Sequence, residues 1–120
     1  MTAILLTKAE REAVLPALGA SGWGAVPDRD AIRKIMKFKN FSEAWGFMNR
    51  VALCAEKANH HPEWQNTYNV VDVTLSTHDC DGLSKLDTDM AAKIDGFAAG
   101  AQVQQDHSLP VLSLCQMKKR

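Results

Sequence analysis

The chain has 120 residues, 46 % of them apolar and 23 % charged, and its fourteen basic and fourteen acidic side chains cancel. That length suits one domain with a genuine core rather than two, and a neutral surface has no electrostatic footprint for sequence-independent nucleic-acid binding. No stretch approaches the roughly 20 apolar residues that span a bilayer, and Ile4-Leu5-Leu6 lacks the basic flank and cleavage site of a signal peptide.

Thr7-Lys8-Ala9-Glu10 is a capping box, in which the Thr7 hydroxyl accepts from the Glu10 amide while the Glu10 carboxylate reaches back. It predicts a first helix from Lys8 to about Leu18, bent or weakened at Pro16 and closed by Gly19. Ser21 to Gly24 reads as a turn around Trp23, and Asp30 to Lys39 as a strand whose imperfect alternation leaves its buried face open.

Asn40, with Glu43 three residues on, caps a second helix from Phe41 to about Ala58, stopped by His60-His61-Pro62. Its apolar stripe is Ala44, Phe47, Met48, Val51, Ala55 and Ala58, widened by Trp45, Ala52, Leu53 and Cys54. A helix so apolar around its circumference needs a second cover, and an oligomer interface is one source of it.

The cleanest pattern runs from Tyr68 to Thr77, where Val71, Val73 and Leu75 alternate with Asp72, Thr74 and Ser76. A strand with one buried face has this period, and its continuation places His78 with the polar set. Ser84-Lys85-Leu86-Asp87 is a second capping box, opening a third helix with Leu86, Met90, Ile94 and Phe97 on one stripe and Gly96 and Gly100 weakening its far end. In residues 101–120, Val111-Leu112-Ser113-Leu114 reads as a short strand or a docked tail, and Lys118-Lys119-Arg120 as a solvated end. The order of elements argues for an α+β domain, a four-stranded antiparallel sheet with helices on one face. The count of four holds if Trp23 begins one strand and Trp64 to Thr67 forms another.

Three of the four histidines fall in two short phrases, EKANHHPEW at residues 56–64 and STHDCDGLS at 76–84. Imidazole, with an unperturbed pKa of about 6.5, both gives and takes a proton near neutrality. Adjacent histidines after a helix are also explained by the helix dipole, which favours cations there by about 0.3–1 kcal/mol. Pro62 stiffening their backbone and His78 at a strand end tilt the reading toward a small-molecule site. His60, His61, His78 and Cys80 are competent zinc ligands, but no HExxH or CxxC spacing is present, and neighbouring side chains on extended backbone diverge. No metal is expected.

Cys54, Cys80 and Cys115 are odd in number, which disfavours a disulfide framework and fits a cytoplasmic, reducing location. Cys80 has only His78 as a nearby base, a weak basis for a nucleophile. Asp87 is explained by its capping box alone. Glu56 opposes the dipole in the last turn of its helix and needs a compensating cation or imidazole. Trp64 suits packing, or the wall of a site for a flat ring.

These phrases closely resemble the pterin-4a-carbinolamine dehydratase family. The likeness runs through Gly22-Trp23, Arg29-Asp30-Ala31-Ile32, GFMNRVAL at 46–53, EKANHHPEW, the strand from Tyr68-Asn69 to Leu75, Ser76-Thr77-His78-Asp79, and Gly82-Leu83-Ser84 with Asp87, so it covers roughly residues 7–100. Asn59 stands where some members carry aspartate, and the chain beyond about residue 102 is longer than in short members.

The resemblance implies a four-stranded antiparallel sheet with three helices on one face, in a single domain over 1–120 whose segment 101–120 is an extension without an assigned role. It implies homodimers through joined sheets and homotetramers through packed helices. The implied reaction removes water from 4a-hydroxytetrahydropterin to give quinonoid dihydropterin, recycling the tetrahydrobiopterin-type cofactor of aromatic amino acid hydroxylases. Dehydration needs an acid for the departing hydroxyl and a base for a ring-nitrogen proton, with no redox cofactor or metal. By resemblance His60, His61 and His78 are the acid/base and pterin-contacting set, and Asn59, Ser76, Thr77 and Asp79 their neighbours at the binding site. The hydroxyls of Ser76 and Thr77 are then available to the pterin edge, and Glu56 and Asp87 orient imidazoles. Animal members also serve as dimerisation cofactors of a homeodomain transcription factor. An interaction module, or a divergent protein acting on another pterin such as one of molybdopterin metabolism, are therefore the alternatives.

Overall fold

The computed structural model describes residues 3–103. Three helices, α1 (Lys8–Ala20), α2 (Phe41–Ala58) and α3 (Lys85–Phe97), accompany strands β1 (Gly24–Ala25), β2 (Ile32–Lys37), β3 (Glu63–Thr67), β4 (Val70–Leu75) and β5 (Gln102–Val103). The strands form one antiparallel sheet in the order β1-β2-β4-β3. The α+β architecture is therefore as expected, with one strand more than the four anticipated. β5 pairs through Met36↔Val103 and Lys37↔Gln102 with the same edge of β2 that β1 holds at Ile32 and Arg33. The Val111–Leu114 run and the basic end lie outside the described residues.

Both capping boxes form: Thr7 with Glu10 at α1 and Ser84 with Asp87 at α3. α1 continues through Pro16 and past Gly19, closing at Gly22 instead. There the Trp23 amide donates to the Leu18 carbonyl, and Gly22 takes φ +113°, a backbone that a side chain rarely adopts. A β-carbon at Gly22 would also collide with Val103 of β5.

β4 is shorter than its sequence pattern. Tyr68, at φ +50°, and Asn69 form the tight turn from β3, and the Asn69 side chain donates to the Phe38 carbonyl. The helix-side face of the sheet presents Ile32, Met36, Val71, Val73 and Leu75. Ala44, Phe47, Val51 and Ala55 of α2, with Met90, Ala91 and Ile94 of α3, cover it. Ala58, assigned to that stripe by spacing, is exposed, because α2 ends there and the chain turns away. Phe41, Trp45 (52 % exposed) and Leu53 (74 % exposed) face outward, with Phe41 and Trp45 stacked on each other.

The other face of the sheet differs from the simple alternation. Asp72, placed by period with the polar set, is buried, its carboxylate accepting from Nε of Arg33 at 2.9 Å and from a terminal guanidinium nitrogen at 2.6 Å. Beside it, Ile35 and Val70 also point away from the helix-side core, and both are 0 % exposed.

Candidate active site

Two turns frame a cavity of about 380 Å³, within the ~300–1,000 Å³ range of small-molecule sites. The first joins α2 to β3. Asn59 ends the helix at φ 51°, ψ 42°, its amide returning to the Glu56 carbonyl while the His60 amide returns to that of Ala55. Asparagine tolerates this left-handed position better than most residues. The chain then leaves the helix toward Pro62 and β3, and His60 and His61 take different environments: His60 is 8 % exposed, His61 open to solvent.

The second turn joins β4 to α3. His78 to Cys80 form a single 3-10 turn rather than continuing the strand, closed by Asp81 at φ 52°. The Thr77 amide donates to the Gly82 carbonyl and the Gly82 amide to that of Thr77, tying the turn off. Gly82 has no room for a side chain: a β-carbon would strike the Asp30 carboxylate and Leu5.

A buried polar network supports His60 from below. His60 Nε2 lies 2.6 Å from Asp87 Oδ1, with Asp87 0 % exposed. The other Asp87 oxygen accepts from the Thr77 hydroxyl at 2.6 Å and from the Ser84 amide at 2.9 Å. Thr77 Oγ1 is also 2.6 Å from Ser84 Oγ. Since the Thr77 proton goes to the carboxylate, Ser84 supplies the proton of that contact. An ionised carboxylate only accepts, and opposite one the proton of this contact belongs to His60 Nε2. Asp87 is both the capping residue of α3 and the partner of His60, so the two readings of this residue coexist.

The rim is built differently. His61 Nε2 lies 2.8 Å from Glu56 Oε1, both side chains exposed. This is the compensation that Glu56 required in the last turn of α2. The guanidinium of Arg29 donates two hydrogen bonds, at 2.8 and 2.7 Å, to the Glu63 carboxylate, whose pKa is held below the ordinary range by those bonds. Asp30 anchors the β1–β2 loop. Its carboxylate accepts two bonds from Arg11 and one from the Leu83 amide, and its carbonyl accepts from the Ser76 hydroxyl. The Arg11 bonds, chiefly, hold the Asp30 carboxyl below its usual range.

All seven residues expected at the binding site line this cavity: Asn59, His60, His61, Ser76, Thr77, His78 and Asp79. Three details differ from expectation. The Ser76 and Thr77 hydroxyl protons are already committed to Asp30 and Asp87, so neither hydroxyl is a free donor. Trp64 does not line the cavity; it lies on the helix-side face of β3 and packs against the core. Cys80 is also outside the lining, its thiol near the Thr77 and Gly82 carbonyls. Arg29, Glu63, Asp81 and Leu86 line the cavity without having been singled out for it. Arg29 and Glu63 lay within the family-like phrases, but only the fold brings the β1–β2 loop against β3. Among the described residues no group of three His, Cys, Asp or Glu side chains is arranged to hold a metal ion, and no helix is long and apolar enough to cross a membrane.

Residues 4–97 match the family described as Pterin 4 alpha carbinolamine dehydratase. A protein of Burkholderia cenocepacia strain HI2424, provisionally named pterin-4-alpha-carbinolamine dehydratase, is 56 % identical over 97 residues, 81 % of this chain and 93 % of its own length. One of the same provisional name from Novosphingobium aromaticivorans is also 56 % identical, over 81 % of this chain and 99 % of its own length. The crystal structure of a transcriptional coactivator/pterin dehydratase from Brucella melitensis superposes with a TM-score of 0.75 at 50 % identity, over 80 % of this chain and all of that one. A pterin dehydratase-like protein identified as a RuBisCO assembly factor in the alpha-carboxysome shares the fold, with a TM-score of 0.57 at 22 % identity over 65 % of this chain and 90 % of its own.

Proposed function

The chain belongs to the pterin 4 alpha carbinolamine dehydratase family, and on that premise we propose that it removes water from a 4a-hydroxytetrahydropterin by histidine acid/base catalysis. The observation that carries this reading is that His60, His61 and His78 line one cavity. The product is the quinonoid dihydropterin, and the role is recycling of the cofactor that aromatic amino acid hydroxylases turn over.

The carbon–oxygen bond at C4a breaks as a proton reaches the departing hydroxyl, and a ring-nitrogen proton leaves to a base. Each positioned group contributes about 10²–10⁴-fold. His60, with Nε2–H held by Asp87, has Nδ1 left as its acceptor and suits the fixed partner of a ring nitrogen. His61 is the principal acid/base, in exchange with solvent and paired with Glu56. His78 closes the trio from the 3-10 turn, and Asp79 and Asn59 flank the ring. In this reading the reaction needs no cofactor, and a reducing cytoplasm suits its unpaired cysteines.

A second reading rests on the outward apolar patch of α2, where Phe41, Trp45 and Leu53 are exposed in the single chain. That patch suits assembly of copies into dimers or tetramers, or an interaction role. One experiment serves both readings: turnover of 4a-hydroxytetrahydropterin by purified protein with a chelator present, alongside mass in solution. We expect dehydration well above the spontaneous rate, and Trp45→Asp to change the mass with turnover retained. A rate no faster than buffer would remove the enzymatic reading.

A further inference from the structure

We infer that the groove beyond the Arg29–Glu63 ion pair is a subsite for the substituent of the bound ring, and that Thr74 and Gln65 in it select a short, neutral, hydroxylated chain. The inference rests on the reading of the histidine cavity as a pterin site and adds which ring substituent that site takes.

The two spaces adjoin. A second cavity, of about 350 Å³, is lined by Arg29, Glu63, Gln65, Asp72 and Thr74 among others, and Arg29 and Glu63 line the histidine cavity as well. Their doubly hydrogen-bonded pair is therefore the sill between the two. The strands account for this arrangement. Asp72 and Thr74 share one face of β4 and line the second cavity, and the same spacing of two next reaches Ser76, which lines the first. On β3, Glu63 stands opposite Thr74, at the sill, and Gln65 stands opposite Asp72, one pleat further from the histidines. Two residues of strand advance about 6.6 Å, so a short chain on a ring held by the histidines crosses the pair and enters the groove.

The charges of the groove cancel in pairs. Glu63 takes two bonds from Arg29, and Asp72 takes two from Arg33. An anionic substituent thus meets guanidinium groups already engaged, and must displace a carboxylate to reach one. The side chains of Thr74 and Gln65, by contrast, make no hydrogen bond among the described residues, with Gln65 exposed and Thr74 half-buried. Each offers a donor and an acceptor, and a hydroxyl, itself both, can answer either. Val26 lends the groove an apolar wall for the carbons of such a chain.

The test measures, by calorimetry on the full chain, binding of three dihydropterins that differ only in the ring substituent: a methyl, a polyhydroxypropyl chain, and a chain ending in a carboxylate. Turnover of the matching 4a-hydroxytetrahydropterins is recorded alongside. We expect the hydroxylated ligand to bind at least about fivefold more tightly than either other, the order that one or two net hydrogen bonds supply. Thr74→Val and Gln65→Ala should each shrink that ratio, and together bring it close to one; Gln65→Ala, at an exposed position, carries the test if Thr74→Val disturbs the strand. Equal affinities in the unaltered protein, tightest binding of the carboxylate, or a preference unmoved in the variants overturns the inference. A substituent preference in binding without turnover overturns only the dehydratase reading. Turnover without a preference overturns only the subsite, and binding of none of the three overturns both.

Discussion

The two halves of the cavity are built on opposite principles. Its floor (His60, Asp87, Thr77 and Ser84) is buried, and every polar atom named there answers to another across the α3 cap. Its rim (His61 with Glu56, Arg29 with Glu63) consists of exposed pairs that water can replace. The difference teaches where fold and site share residues. On the floor, one carboxylate secures a helix end and an imidazole at once, so a change there disturbs both. On the rim, ion pairs in high dielectric contribute little to stability, about 0–1 kcal/mol each, and side chains are free to serve chemistry.

The largest expected effect comes from breaking the floor. Asp87→Ala leaves His60, the Thr77 hydroxyl and the Ser84 amide without their acceptor in a buried place. We expect a loss of about 3–5 kcal/mol in denaturant unfolding, together with loss of turnover. His61→Ala sharpens the contrast: turnover should fall at least tenfold while stability moves by no more than about 0.5 kcal/mol. Equal stability losses in the two variants would erase the distinction between floor and rim.

A smaller effect is expected in acid. The pKa values of Asp30 and Glu63 are both lowered in the fold, chiefly by hydrogen bonds from Arg11 and Arg29 respectively. A carboxyl depressed in the fold contributes stability above its unfolded value, and that contribution is lost as pH falls through the folded one. Stability should therefore decline below the ordinary carboxylate range. Asp30→Asn should flatten this decline more than Glu63→Gln, because Asp30 also accepts from Leu83 and holds the loop on α1. Thermal melts across pH 2–6, a window set around the ordinary carboxyl values of about 4, check the ranking.

Much of this was legible in the chain. Capping boxes at Thr7 and Ser84, Asn40 before α2, and the strand alternation around Val71, Val73 and Leu75 each encode local structure in a few residues. The site was legible as far as it lay in two contiguous phrases. What escaped depended on distant pieces meeting. Asp72 reads as solvated until Arg33 reaches it diagonally from the neighbouring strand, β5 is too short to announce itself, and Arg29 reaches the cavity only because Asp30 pins its loop. Periodicity also extended β4 over Tyr68 and His78, where a left-handed turn and a 3-10 turn intervene.

The central claim is that three imidazoles address one bound ring. Long-range nitrogen–proton spectra of the histidine side chains, recorded while a stable dihydropterin is titrated into the full chain, test it directly. Ring signals of His60, His61 and His78 should all move along one saturating curve, with His60 reporting a proton on Nε2 throughout. Saturable binding that leaves one of the three rings unmoved, or titration that shifts none, would contradict a shared site.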